Sequence, residues 1–216
     1  MLGVLCGLES EAVIARRIKG ALVVCAAARP ELALRGAHEL VRRGATQLLS
    51  FGLAGGLKPG LPVGSLIVGT HAQTAGEAWA CDATWSAALL RNIPKARNEA
   101  VWGAESIVAR AQDKRALYER TRCAITDMES HIAGRVAAEA ALPFAVLRVV
   151  ADPAVMDIPS AALVPLRDDG RVALRSVLRD VLNHPAQVPS LARLGLNTGA
   201  ALRTLREIVS VVDGCR

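Results

Sequence analysis

The stretch Phe144-Ala145-Val146-Leu147-Arg148-Val149-Val150-Ala151-Asp152 decides the fold of this chain. Its apolar part is well short of the ~20 residues that a helix needs to cross a bilayer, and a charged residue, Arg148, interrupts it. Such a run is typical of a strand that is buried inside a globular protein. We predict a strand over Phe144 to Val150, with Asp152 directly where the strand stops.

Strands and helices are predicted to alternate outward from this segment. Glycines follow two segments with helical features, as expected at helix ends, and acidic residues begin the first of these segments. In chain order, the predicted elements are strand 2–8, helix 9–19, strand 21–28, helix 30–43, strand 47–53, a Gly-rich turn at 54–56, strand 65–68, strand 101–109, helix 112–120, strand 123–126, helix 128–141, strand 144–150 and helices 171–183 and 190–212.

This alternation predicts an α/β fold, a three-layer α/β/α arrangement with a mixed central sheet. We expect residues 1–216 to form a single domain whose last helices occupy about 171–212. In open α/β sheets, ligands bind outside the carboxyl ends of the strands. Glu11, Gly55, Gly56 and Asp152 are all predicted to lie at such ends.

Composition and charge exclude several classes of protein. The net charge of +6 is spread over residues with little aromatic interleaving, so we expect no nucleic-acid partner. The five cysteines include no C-x-x-C pair and the four histidines have no ligand-like spacing, so neither a disulfide framework nor a metal site is expected. The first eight residues lack a basic leader, and we therefore expect a cytoplasmic protein.

Carboxylates at predicted loop positions are the remaining candidates for chemistry, because no Walker A loop, dinucleotide fingerprint, H-E-x-x-H or nucleophile elbow is present. Asp152 follows an apolar strand, and partial desolvation would raise its pKa and let it act as a general acid near neutral pH. A cap for the loop before Pro153 is the alternative.

Structural roles stay open for the other candidates as well. Glu11 and Glu129 could each be an acidic residue in the first turn of a helix. Gly55 and Gly56 could permit unusual backbone angles, or their amides could approach a phosphate or a nucleophilic water. Arg148 could pair with a carboxylate of the site or support one.

Three sequence blocks resemble the superfamily of nucleoside phosphorylases and methylthioadenosine/S-adenosylhomocysteine nucleosidases. The order and spacing of the blocks match that family. They are Gly7-Leu8-Glu9-Ser10-Glu11, then Gly52-Leu53-Ala54-Gly55-Gly56-Leu57 with Val63-Gly64, then Asp127-Met128-Glu129-Ser130 leading to Pro143-Phe144 and Arg148-Val149-Val150-Ala151-Asp152.

The resemblance implies a site for a purine nucleoside. It implies that Asp152 protonates N7 of the purine, that Met128 and Glu129 contact the ribose, and that Ser106 and Ile107 line the base pocket. Glu11 matches the position that activates water in the nucleosidases. Leu53 and Ala151 depart from the family pattern, which has serines there, and Ser106 stands where an aromatic residue usually lies near the base.

The segment from Met156 to Arg171, with the two closing helices, resembles the hopanoid-associated branch of this superfamily. We therefore expect cofactor-free release of adenine, with phosphorolysis of adenosylhopane first and phosphate as the co-substrate. Hydrolysis of methylthioadenosine or S-adenosylhomocysteine, and a non-catalytic nucleoside-binding scaffold, are the alternatives. We also expect a homo-oligomer, and the lipid tail of such a substrate leaves peripheral contact with the inner membrane open.

Overall fold

A computed structural model describes residues 1–163, 170–171 and 174–215. The strands are β1 (Leu2–Cys6), β2 (Leu22–Cys25), β3 (Gln47–Gly56), β4 (Leu66–Gln73), β5 (Ala78–Ala80), β6 (Arg97–Gly103), β7 (Ile125–Asp127) and β8 (Phe144–Asp152). The helices are α1 (Glu9–Ala15), α2 (Pro30–Arg42), α3 (Ala83–Asn92), α4 (Ala111–Thr121), α5 (Ser130–Glu139), α6 (Leu174–Asn183) and α7 (Val188–Asp213), with short 3₁₀ turns at Ser160–Ala162 and Pro185–Gln187.

The central sheet is mixed, as predicted, and part of it closes on itself. The strand order is β2-β1-β3-β7-β6-β4-β5, and β8 pairs with both β3 and β4. The pairs of β8 with β3, β1 with β3, and β4 with β6 are parallel, whereas β3 with β7 and β4 with β8 are antiparallel. Five strands therefore form a ring in the order β3, β8, β4, β6, β7.

Strand β8 is buried on both faces, which explains its nearly continuous apolar sequence. Ala145, Leu147 and Val149 belong to a core cluster that also contains residues of α1, α3 and α7. Phe144, Val146 and Val150 alternate with them and belong to a second cluster that contains residues of α2 and α5. Helices thus cover both sides of the sheet, which is the predicted three-layer α/β/α arrangement.

Several predicted boundaries were wrong. The Ala54-Gly55-Gly56 turn is the end of β3, because Gly55 and Gly56 pair with Thr126 and Ile125 of β7. The strand predicted over 101–109 lies earlier, at Arg97–Gly103, and the two elements β5 and α3 were missed. The helix α3 is capped by Asp82, whose carboxylate accepts a 2.7 Å hydrogen bond from Trp85 N.

The two closing helices agree with prediction, as α6 and α7. Residues 164–169 of the segment that resembles the hopanoid branch lie outside the described residues. Within the described part of the chain, no helix is both long and apolar enough to cross a membrane.

We expect Leu147→Ala to lower the free energy of unfolding by about 2 to 5 kcal/mol, because Leu147 is fully buried and its removal leaves a cavity between the sheet and its helices. Urea denaturation measures this. Leu182→Ala on α6 is the matched control, since Leu182 is 81% exposed, and should change stability by less than about 0.5 kcal/mol. Equal losses in the two variants would contradict this placement of β8.

Candidate active site

Arg148 lies fully buried in the middle of β8 and contacts two carboxylates. Its Nε atom is 2.7 Å from Asp127 Oδ2, and its Nη2 atom donates a 3.0 Å hydrogen bond to Glu129 Oε2. Nη2 also donates to Ser50 Oγ at 2.6 Å, and Nη1 donates to the Leu53 carbonyl at 3.1 Å. A buried charge is tolerated when it is paired and hydrogen-bonded. The guanidinium therefore balances the acidic residues around it.

Asp127 ends β7 and fixes the start of α5. Its carboxylate accepts a 2.9 Å hydrogen bond from Ser130 N and a further hydrogen bond from the Ser130 hydroxyl. Ser130 Oγ also lies 2.9 Å from Ser50 Oγ, so the serines link Asp127 back to Arg148. This network holds the Asp127-Met128-Glu129 segment against β8.

Glu11 and Glu129 approach each other at Gly7, beyond the end of β1. Glu11 Oε2 accepts 2.9 Å hydrogen bonds from the amides of Gly7 and Leu8, and Oε1 accepts one of 2.8 Å from Leu53 N. A Cβ atom on Gly7 would lie 2.6 Å from Glu129 Oε1. Glycine at position 7 therefore leaves room for the Glu129 carboxyl group beside the backbone whose amide binds Glu11.

The predicted helix-start role of Glu11 and its predicted site role are compatible. Because Glu11 accepts the Leu8 amide, it caps the first turn of α1. The hydrogen bond to Leu53 ties the same carboxylate to β3. A Cβ atom on Gly52 would lie 2.5 Å from the Glu11 carboxyl group, which accounts for the glycine before Leu53.

Burial raises the pKa of both carboxyl groups. For Glu11, the loss of solvation outweighs the opposing effects of the Arg148 charge and of the three amides that donate to it. For Glu129, burial raises the pKa most, and together with the neighbouring Asp127 and Glu11 charges it brings the pKa to about 7 against the opposing charge of Arg148. The pKa of Glu11 is therefore raised, and Glu129 is a carboxyl group that can exchange a proton near neutral pH.

Asp152 is the last residue of β8 and is 8% exposed. Its register partner on β3 is Gly55, where a Cβ atom would lie 3.1 Å from Asp152 Oδ2. Burial raises the pKa of Asp152, and Lys114 on α4 opposes this rise. The Lys114 Nζ atom is 2.5 Å from Asp152 Oδ2 and is fully buried. Asp152 is thus a buried acid with a buried cation as its partner.

Lys114 was missed by the sequence interpretation. The helix around it is rich in charged residues, so one more lysine does not stand out. A signal was present in the spacing, because Lys114 precedes Leu117 by three residues and Tyr118 by four, which places it on their side of the helix. Leu117 and Tyr118 both pack in a small core cluster with Trp102.

Of the remaining predicted residues, Met128 adjoins the acids, whereas Ser106 and Ile107 lie in a different loop. Met128 is half-buried between Asp127 and Glu129. Ser106 and Ile107 lie in the loop that joins β6 to α4, both exposed. Ser106 borders a cavity of about 610 Å³ beside Trp102 and Arg120. Glu11, Glu129 and Asp152 are not among the residues that line this cavity.

The two glycines at the end of β3 have a packing role in the structure. Gly55 leaves room for the Asp152 carboxylate, and a Cβ atom on Gly56 would lie 3.3 Å from the Asp152 carbonyl oxygen and from Pro153 Cα. Larger residues at these positions would push β3 away from the loop after β8. The predicted role of their amides toward phosphate or water remains a prediction.

We expect stability to depend on pH through Glu129. Its pKa in the folded protein is about 7, above the ordinary value of 4.5, so folding favours the protonated form. This stabilisation is fully present below pH 4.5 and is lost as the pH rises toward 7. Relative to the wild type, Glu129→Gln should therefore gain stability between pH 4.5 and 7, on the order of a few kcal/mol by urea denaturation.

Glu31→Gln, on an exposed side chain of α2, is the control and should follow the wild type across this range. A constant difference in the free energy of unfolding between Glu129→Gln and the wild type from pH 4 to pH 8 would contradict the prediction.

Solved structures of nucleosidases share this fold. The methylthioadenosine/S-adenosylhomocysteine nucleosidase of Neisseria meningitidis, in complex with methylthio-immucillin-A, has a TM-score of 0.71 at 15% identity and covers 99% of this chain and 98% of its own. The Helicobacter pylori enzyme of the same name has a TM-score of 0.68 at 13% identity, covering 96% and 97%. The futalosine hydrolase of Helicobacter pylori has a TM-score of 0.69 at 13% identity, covering 96% of each chain.

Sequence comparison gives the family. No curated protein sequence matches the chain. The family model described as the Phosphorylase superfamily matches residues 21–175, which is more than half of the chain and includes β3, β7 and β8. This chain therefore belongs to the Phosphorylase superfamily.

Proposed function

We propose that this protein hydrolyses the N-glycosidic bond of an adenosyl nucleoside and releases adenine. The observation that carries the proposal is the pair of buried carboxyl groups, Glu11 and Glu129, that both lie against Gly7. A ribosyl group that loses its base develops positive charge, and preorganised anionic groups stabilise such a charge best in a site that excludes water. A third buried acid, Asp152, is available for the base.

Asp152 would supply the proton that lets the base leave. A purine anion is a poor leaving group, and protonation at N7 converts it into a neutral one. Burial raises the pKa of Asp152, which favours the protonated carboxyl group that a general acid needs. The alternative, in which Asp152 only caps the loop before Pro153, is less favoured. A capping carboxylate does not need to be buried beside a buried lysine, as Asp152 is beside Lys114.

Glu11 would activate the attacking water, and Glu129 would bind the ribose hydroxyls. Three backbone amides hold Glu11 in one orientation, and its raised pKa makes it a stronger base than a solvated glutamate. Glu129 is held by Arg148 through Oε2, so that Oε1 lies on the Gly7 side. Met128 would pack against the sugar beside it, and Ser106 and Ile107 would border the base.

Water is favoured over phosphate as the nucleophile because of the charges in this site. A phosphate dianion would meet the Glu11 and Glu129 carboxylates at close range. The Arg148 guanidinium, which could have offset them, already donates to Ser50, Leu53 and Glu129. The similar folds of two methylthioadenosine/S-adenosylhomocysteine nucleosidases and a futalosine hydrolase also support hydrolysis.

Phosphorolysis of adenosylhopane, which the sequence favoured, is the second candidate. Exposed apolar side chains support it, because a hopanoid tail on the ribose would need an apolar surface near the site. Val155, three residues after Asp152, is 82% exposed, Leu163 is 40% exposed and Ile107 is 46% exposed. Three further proposals accompany this second candidate: assembly into a homo-oligomer, peripheral contact with the inner membrane, and a cytoplasmic location.

We expect the purified protein to release adenine from methylthioadenosine in buffer without phosphate, and added phosphate should not increase the rate. Asp152→Asn and Glu11→Gln should each lower kcat by about 10²- to 10⁴-fold, because each removes a proton-transferring group. Glu9→Gln is the matched control, since Glu9 lies in the same segment and pairs with Arg16 at the surface.

The other outcomes separate the rival functions. Adenine release from adenosylhopane that requires phosphate would replace hydrolysis by the second candidate. Binding of nucleosides without any release, in both the wild type and Asp152→Asn, would favour a non-catalytic nucleoside-binding protein.

A further inference from the structure

Lys114 has an unusual position for a lysine, because it is fully buried on α4. Its ammonium group has three oxygen acceptors. Nζ donates to Asp152 Oδ2 at 2.5 Å, to the Met156 carbonyl at 2.9 Å and to the Pro153 carbonyl at 3.4 Å. Its three donors thus bind the acid at the end of β8 and the loop that follows it.

This loop is attached to the start of α4 by further hydrogen bonds. Asp157 Oδ1 accepts a 2.7 Å hydrogen bond from Ala111 N, and Ile158 N donates to the Ala109 carbonyl at 2.9 Å. The loop therefore has attachments to α4 that do not involve Lys114. A purely structural need to hold the loop does not explain why a charged group is buried beside Asp152.

Burial of the positive charge of Lys114 is unfavourable unless favourable contacts offset the lost hydration. Removing an ammonium ion from water is strongly unfavourable, and the two neutral carbonyls of Pro153 and Met156 do not offset this. The Asp152 carboxylate is the charged partner. An opposite charge at this distance favours the ionised carboxyl group and makes it a stronger acid.

We infer that Lys114 is a positioning residue for the proposed reaction: its ammonium group orients Asp152 through Oδ2 and stabilises the carboxylate that remains after Asp152 has protonated the leaving base. This inference rests on the proposed function. The proton moves from the Asp152 carboxyl group to the purine nitrogen as the electron pair of the glycosidic bond passes to the base. Water then bonds to the sugar carbon, and its proton goes to Glu11. Lys114 keeps its own protons throughout.

Charged groups on α4, on β8 and in the loop after β8 have partners of their own. On α4, Asp113 pairs with Arg110 at 2.8 Å. Asp157, in the loop after β8, accepts from the backbone of α4. Glu129 and Arg148 pair with each other. The ammonium group of Lys114 is therefore the cation whose removal should change the titration of Asp152 most directly.

The test is the pH profile of kcat/KM for adenine release by the wild type and Lys114→Met. The basic limb of the wild-type profile follows the loss of the Asp152 proton. Without the cation, Asp152 should keep its proton to higher pH, so the basic limb should move up by about 1 to 3 pH units while the maximal kcat falls at least tenfold. Lys58→Met, which removes a lysine from a surface pair with Glu99, should leave both unchanged.

A second readout does not depend on activity. The carboxyl carbon signal of Asp152 in aspartate-labelled protein, identified by its absence in Asp152→Asn, reports the titration of this group directly by NMR. It should titrate at higher pH in Lys114→Met than in the wild type. If no substrate is cleaved by the wild type, the proposed function fails, while this signal still decides whether Lys114 controls Asp152.

Two further variants, one that keeps the positive charge and one that removes it, test the inference if Lys114→Met does not fold. Lys114→Arg should keep the basic limb and the Asp152 titration at the wild-type pH even if kcat falls. Lys114→Gln should shift both upward. The inference is overturned if a folded Lys114→Met or Lys114→Gln protein titrates as the wild type does, because Lys114 then only holds the loop.

Discussion

The buried guanidinium of Arg148 is the interaction on which the site depends. It lies in the middle of β8, which pairs with β3 and β4 and is flanked by helices on both sides, so the arginine cannot reach solvent. Its donors bind Glu129 and Ser50 directly and the β3 backbone through Leu53, and it forms an ion pair with Asp127. Loss of this cation would leave buried carboxylates without a cationic partner and would lower the free energy of unfolding by about 3 to 5 kcal/mol.

The buried acidic residues form two groups, and each group has its own buried cation. Glu11 and Glu129 both lie against Gly7, just after β1, and Glu11 also contacts Gly52 and Leu53 within β3. Asp152 ends β8 and lies beside Gly55, near the end of β3. The first group is balanced by Arg148 and the second by Lys114. The acid proposed to receive a proton from water and the acid proposed to give one to the base are therefore balanced by different cations.

The sequence predicted the elements that carry strong local patterns and missed those that depend on tertiary contacts. The buried strand that ends at Asp152 was evident because its apolar run stops at a charged residue. The sequence does not predict α3, although Asp82 marks its start. It predicts a turn at the end of β3, because paired glycines are typical of turns, whereas these glycines pair with β7. Glycines are required at the end of β3 because Asp152 approaches them closely. The pairing of Lys114 with Asp152 joins residues 38 positions apart, which no local pattern shows.

The group that becomes bonded to the sugar carbon shows most directly whether water or phosphate is the nucleophile. The wild-type protein is incubated with methylthioadenosine in ¹⁸O-labelled water that also contains phosphate, and the sugar product is analysed by mass spectrometry. Hydrolysis predicts adenine together with a free methylthioribose that carries one ¹⁸O atom from water. A sugar 1-phosphate without the label would contradict it, because phosphate would then have attacked past the Glu11 and Glu129 carboxylates.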